Sequence, residues 1–134
     1  MPREYPRLAL SGLLLLSGCG GQTGRFDVSG KVTFGGRPVP AGTIVFSPDM
    51  GAGNDGLQGI AEIRDGHFDT RATRRGGPGG AVVVRIEGFD GQPSEERPYG
   101  KALFPPFQLK VNLPRRDTSM DFDVPASAAT ARPQ

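Results

Sequence analysis

Apolar and polar residues alternate along most of the chain after residue 25. At the start of this region Phe26, Val28, Val32 and Phe34 are separated by polar residues or glycine. A period of two residues gives an extended strand one apolar face and one polar face, as a half-buried β-strand requires. This period, or a short β-branched run, predicts strands at 26–34, 43–46, 59–64, 68–70, 81–87, 107–113 and 120–124.

Segments rich in glycine, proline or aspartate separate the predicted strands. Gly35-Gly36 ends the first, and Asp65-Gly66 is a pair that closes two-residue β-hairpins. Segment 81–87 is the most apolar, which predicts a central strand, and no window has the spacing of an amphipathic helix. We therefore predict an all-β fold, an antiparallel β-sandwich of about seven strands over 26–125, followed by a disordered tail at 126–134.

Length and composition agree with one β-rich domain. The chain has 134 residues, of which 21 are glycine and 13 are proline. This length suits one domain, and the many glycines and prolines suit short strands joined by turns. Sixteen Lys and Arg residues against 14 Asp and Glu give a net charge of only +2. Such a weak field argues against nucleic acid as a partner.

The first 18 residues have the organisation of an export signal. Arg3 and Arg7 precede an apolar run at 8–16, which is interrupted only by Ser11 and Gly12. The run is far shorter than the ~20 residues that a membrane-spanning helix needs. Residues 1–18 are therefore predicted to be a signal peptide that is removed.

Cys19 is the only cysteine, and it follows the apolar run directly. Leu16-Ser17-Gly18-Cys19 resembles the lipobox of bacterial lipoproteins, which implies cleavage before Cys19 and acyl chains on that residue. A buried free thiol is the alternative, but the neighbouring glycines have no side chains to cover it. The resemblance implies a protein anchored to a membrane on its extracytoplasmic side, in the cell envelope, with 19–25 as lipidated cysteine and flexible tether. The choice between inner and outer membrane stays open.

Three further segments resemble one known family. VSGKVTFGGRPVPAGTIVFSP at 28–48, GIAEIRDGHFDT at 59–70 and VVVRIEGF at 82–89 are similar to the carboxypeptidase regulatory-like domain, a transthyretin-like sandwich. The resemblance implies a secreted, non-catalytic module, and it transfers no active site. A hydrolase of transthyretin architecture uses several histidines and a Tyr-Arg-Gly-Ser type of ending. This chain has one histidine and ends at Ala131-Arg132-Pro133-Gln134.

Catalytic and metal sites have weak support in the sequence. His67 has Asp65, Asp69 and Thr70 nearby, but neighbours in a tight hairpin are expected to point to alternate faces. No catalytic residue and no cofactor is predicted. Two further segments have the composition of ligand sites, and both are better explained as turns: the possible Ca²⁺ ligands Asp49, Asn54 and Asp55, and the glycine-rich segment after Arg74 and Arg75.

The connection at 87–106 is the strongest candidate for recognition. It is long for a compact domain and contains Phe89, Tyr99 and Phe104. These rings either cover an open end of the sandwich or form a surface for an envelope protein or a glycan. The predicted function is thus a membrane-anchored binding or structural module. The alternative is an envelope hydrolase or Ca²⁺-dependent protein with its site in this connection, and the oligomeric state is left open.

Overall fold

The structure is a computed structural model that describes residues 24–130. The predicted signal peptide, Cys19 and residues 131–134 lie outside this range. Nine strands account for nearly half of the described chain, which also has one α-helical turn, α1, and two 3₁₀ helices at Met50–Ala52 and Ala126–Thr130. The strands are β1 Val28–Phe34, β2 Arg37–Pro38, β3 Ala41–Pro48, β4 Gly59–Arg64, β5 His67–Asp69, β6 Gly80–Phe89, β7 Phe107–Leu113, β8 Thr118–Ser119 and β9 Phe122–Val124, and α1 is Thr70–Thr73.

The strands form one continuously hydrogen-bonded sheet that encloses an apolar core. Its order is β2-β1-β5-β4-β3-β6-β7, and β8 and β9 also pair with β1. The sheet curls so that Phe46 of β3 packs on Phe68 of β5 and Phe122 of β9, with ring centroids 5.9 and 6.2 Å apart. The predicted all-β, sandwich-type fold is confirmed.

The central position predicted for 81–87 is also confirmed. β6 lies between β3 and β7, and its Val82, Val84 and Ile86 are fully buried. Their neighbours on the strand face outward, so the two-residue period directs alternate side chains into the core.

The two turns predicted at Gly35-Gly36 and Asp65-Gly66 are present in the structure. Gly35 and Gly36 connect β1 to β2 with positive φ, and Asp65 (φ 50°) and Gly66 (φ 76°) connect β4 to β5. Two successive residues of positive φ match the twist of a two-residue hairpin, which is why glycine and aspartate occur there.

Three local predictions differ from the structure. Thr70 does not continue β5 but begins α1, because the Asp69 carboxylate accepts a hydrogen bond from the Arg71 amide and caps the turn. The tail predicted at 126–134 forms a 3₁₀ helix at Ala126–Thr130, with Ala128 packed on the core. Within the predicted tether, Arg25 is held by hydrogen bonds to the carbonyls of Gln58 and Gly76.

The pairing of the last strands also differs from an antiparallel sandwich. β8 and β9 run parallel to β1, with Val28 opposite Thr118 and Val32 opposite Phe122. The reason is positional: β7 finishes beside the start of β6, at the same end where β1 begins, so the returning chain must run in the direction of β1.

The strands give the molecule two ends, which lie about 30 Å apart along the ten residues of β6. We call the end formed by 24–27, 49–58, 74–80 and 114–117 the proximal end, because the described chain begins there. The end formed by 35–40, 65–66 and 89–106 is the distal end.

Candidate functional site

The predicted connection at 87–106 is an ordered extension of β6 at the distal end. β6 continues to Phe89, which forms a bridge with Ala102. The Asp90 amide donates to the Lys101 carbonyl at 2.9 Å and the Gly91 amide to the Tyr99 carbonyl at 3.0 Å. The connection therefore begins later than predicted and folds back on itself like a hairpin.

The Asp90 side chain fixes the shape of this hairpin. Its Oδ1 accepts hydrogen bonds from the amides of Gln92 at 2.9 Å and Lys101 at 3.1 Å, joining the two arms. Gly100 has φ 91°, and a side chain there would collide with the Asp90 carboxylate. A carboxylate bound to backbone amides stabilises a loop without a hydrophobic core of its own.

Phe89 and Tyr99 come together on this support. Their ring centroids are 5.8 Å apart with an angle of 30° between the planes, and Tyr99 is 48% exposed. A groove of about 650 Å³ lies beside the pair, with Glu96, Arg97 and Lys101 among its lining residues. The sequence pattern does not single out these three charged residues, although they lie inside the predicted connection at 87–106. We call Phe89, Tyr99 and the three charged residues the aromatic groove.

Phe104, the third predicted ring, lies elsewhere. It is 4% exposed and packs on Phe34, with 5.0 Å between ring centroids. Gly88 leaves room for it, because a Cβ on Gly88 would lie 2.7 Å from the Phe104 ring. Phe104 therefore covers the core, and only Phe89 and Tyr99 remain as aromatic residues of the candidate site.

The aromatic groove has the chemistry of a recognition site. An exposed tyrosine beside a second ring offers apolar area at a small entropic cost, and the flanking charges offer directional hydrogen bonds. Aromatic faces with polar rims suit a sugar ring or an extended peptide.

A second concavity lies on the outer face of β1, β4 and β5, with a volume of about 1000 Å³. His67 and Asp69 both line it, because residues two apart on a strand share a face. This differs from the expectation that the neighbours of His67 point away. The hydrogen bonds of these two side chains go to other groups: His67 Nδ1 contacts the Asp65 carbonyl oxygen, and the Asp69 carboxylate accepts from the Arg71 amide.

Thr70, which also lies near His67 in the sequence, has structural partners of its own. Thr70 is fully buried, accepts a hydrogen bond from the Val28 amide and donates to Asp27. It therefore forms no nucleophile–base pair with His67 in the structure.

Two of the three possible calcium ligands at 49–55 likewise have structural partners, and the third, Asp55, is exposed. Asn54 donates to the carbonyls of Gly79 and Ala81 and accepts from the Gly56 amide, while Asp49 lies 3.6 Å from Lys110. Over residues 24–130, no group of three or more His, Cys, Asp or Glu side chains is arranged to hold a metal ion.

Comparisons with known proteins give no relative. No family model, no curated protein and no solved structure matches the chain. In the part of the chain that the structure describes, no helix has the length and apolar character needed to cross a membrane.

Proposed function

We propose that this protein is a lipid-anchored lipoprotein of the cell envelope whose β-domain is a binding module for a glycan or an extended peptide. The Leu16-Ser17-Gly18-Cys19 segment supports the anchor, and the three segments similar to the carboxypeptidase regulatory-like domain support a non-catalytic module. The single observation that carries the binding role is the Phe89–Tyr99 pair on a hydrogen-bonded loop.

The position of the aromatic groove supports this assignment. Residues 24–27 start the described chain at the proximal end, whereas the groove lies at the distal end, about 30 Å away along β6. An anchor on Cys19 would hold the proximal end near the membrane. The groove would then be presented to other molecules of the envelope.

Mass spectrometry of the protein from its native host tests the anchor. We expect the mature N-terminus at Cys19, with acyl chains on that residue. A mature chain that begins before residue 19, or an unmodified Cys19, contradicts it.

Arrays of defined envelope glycans and extended peptides, probed with the full chain and with Tyr99→Ala, test the binding role. We expect Tyr99→Ala to weaken binding to the captured ligand at least about tenfold, because exposed tyrosines commonly dominate binding energy. Asn112→Ala, an exposed substitution on β7 away from the groove, is the matched control. Equal binding by all three proteins would refute the role of the groove.

A further inference from the structure

Four arginines at the proximal end have no part in the aromatic groove. Arg74 and Arg75 follow α1, Arg115 and Arg116 follow β7, and all four are exposed. We call them the proximal arginines. Within residues 24–130, the cations that form ion pairs are Arg64, Arg71, Arg85 and Lys110, so the proximal arginines have no carboxylate partner there.

The proximal arginines belong to one surface although they come from distant parts of the chain. Phe26 pairs with Gly77, directly after Arg75 and Gly76. On the same side, Arg115 packs against Gly79, where an added Cβ would meet its Cγ at 2.7 Å. The two arginine pairs therefore flank the point where the described chain begins.

Two exposed apolar side chains lie at the same end. Met50 is 80% exposed and Leu57 is 53% exposed. Their loop, 49–58, is tied to the proximal end, because Asn54 donates to the Gly79 carbonyl and Arg25 donates to the Gln58 carbonyl. Among residues 24–130, Tyr99 of the aromatic groove is the other large apolar side chain with such exposure.

The carboxylates of this end are largely engaged with other cations. Asp27, Asp69 and Asp117 surround Arg71, with contacts of 3.7, 3.4 and 3.9 Å. Asp49 lies 3.6 Å from Lys110. Asp55, which is exposed, is then the carboxylate of this end without a cation partner among the described residues. One such carboxylate does not balance the four proximal arginines, so this end is cationic.

We propose that the proximal end docks on an anionic phospholipid bilayer, with Met50 and Leu57 at the boundary between headgroups and acyl chains and the proximal arginines on lipid phosphates. Arginines around exposed apolar side chains are typical of peripheral membrane contact. This inference rests on the lipid anchor proposed above. Fully extended, residues 19–24 reach about 18 Å, so an anchored Cys19 keeps the proximal end next to the bilayer.

The test measures which end of the anchored protein meets the lipid. The full lipidated protein is placed in vesicles of phosphatidylcholine, with or without phosphatidylglycerol, and carries one nitroxide label at Leu57→Cys. A label at Tyr99→Cys is the matched control, since Tyr99 is similarly exposed at the distal end. We expect the Leu57 label to collide with lipid-soluble oxygen, and the Tyr99 label with a water-soluble nickel complex.

Charge variants test the proximal arginines themselves. Arg74→Gln, Arg75→Gln and Arg116→Gln are combined, and Arg115 is kept because it packs on Gly79. Each arginine near an anionic surface contributes roughly fivefold, so the ratio of docked to undocked protein falls by about 100-fold. The combination Lys31→Gln, Arg37→Gln and Arg64→Gln removes the same charge away from the proximal end and leaves docking intact.

Each result decides between the two proposals. If the protein washes off the vesicles, the proposed lipid anchor is wrong, and the docking proposal that rests on it is wrong as well. Protein that stays on vesicles containing phosphatidylglycerol, with the Leu57 label as accessible to nickel as the Tyr99 label, overturns the docking alone. If both charge combinations lose docking equally, the role of the proximal arginines is overturned. If the Leu57 label is protected from the nickel complex only after an envelope protein is added, docking on lipid is likewise overturned.

Discussion

Phe104 and Tyr99 lie in the same connection, yet their surroundings are opposite. The Phe104 ring packs on Phe34 and fills the space that Gly88 leaves by having no side chain. Tyr99 contacts Phe89 and is half exposed. One ring therefore stabilises the fold, and the other is available to a ligand.

Alanine substitutions separate these two roles. We expect Phe104→Ala to lower the free energy of unfolding by about 3–5 kcal/mol, because it leaves a cavity beside Phe34. Tyr99→Ala should change it by less than about 1 kcal/mol, since an exposed ring loses little burial on removal. Urea unfolding followed by circular dichroism measures both. Similar losses in the two variants would mean that Tyr99 is also a core residue.

From the sequence alone, Phe89, Tyr99 and Phe104 are equivalent candidates for recognition. An aromatic residue in a connection has the same pattern whether it faces the core or the solvent. The difference depends on Gly88, since only a residue without a side chain in β6 admits the Phe104 ring. That contact joins separate segments of the chain and leaves no periodic signal.

At the scale of elements, the C-terminal strands are held on β1 by aspartate side chains as well as by backbone pairing. Asp117 accepts a hydrogen bond from the Asp27 amide at 2.8 Å, and Asp121 accepts from the Lys31 amide at 2.9 Å. Asp123 accepts from the Thr33 hydroxyl. β8 and β9 are too short to hold β1 by a full ladder, so the Asp117 and Asp121 carboxylates satisfy backbone amides that the strands leave unpaired.

Removal of one carboxylate tests this role. We expect Asp121→Ala to lower the free energy of unfolding by about 1–3 kcal/mol, because the Lys31 amide loses a charged acceptor. Asp55→Ala is the control, since Asp55 is exposed and no hydrogen bond to its side chain is present among the described residues. Guanidinium unfolding compares the two. Equal stability of the variants would show that backbone pairing alone holds β9.

Local pattern predicted some elements well and others poorly, for a physical reason. The bounds of β7 match the prediction at 107–113, and its last residue, Leu113, pairs with Gly80, where β6 begins. The direction of β8 and β9 has no such local signal. It depends on which end of the sheet the chain reaches. α1 does have a local signal, the capping residue Asp69, but its four residues are too few to show helical periodicity.

At the scale of the whole molecule, the fold closes through contacts between its first strand and its last two strands. β1 pairs with β8 and β9, and the hydrogen bonds between them join residues 90 positions apart. Forming such pairs costs loop-closure entropy before the core compensates for it.

We therefore expect slow refolding. Stopped-flow dilution from urea should give relaxation in the range of milliseconds to seconds, as in other proteins dominated by non-local strand pairs. Refolding faster than about 100 microseconds would contradict the observed pairing, since so fast a reaction is typical of folds built from local contacts.

Local sequence pattern was enough to predict strands with one apolar face, the Gly35-Gly36 and Asp65-Gly66 turns, and the central position of 81–87. Those properties follow from the two-residue period and from the backbone conformations of single residues, which are local. Three features depend on the tertiary structure: Phe104 is a core residue, Phe89 and Tyr99 lie together beside a groove, and the proximal arginines lie at the same end as Met50 and Leu57. Each of these depends on which distant segments meet when the sheet curls, and that outcome is set by packing of the whole core.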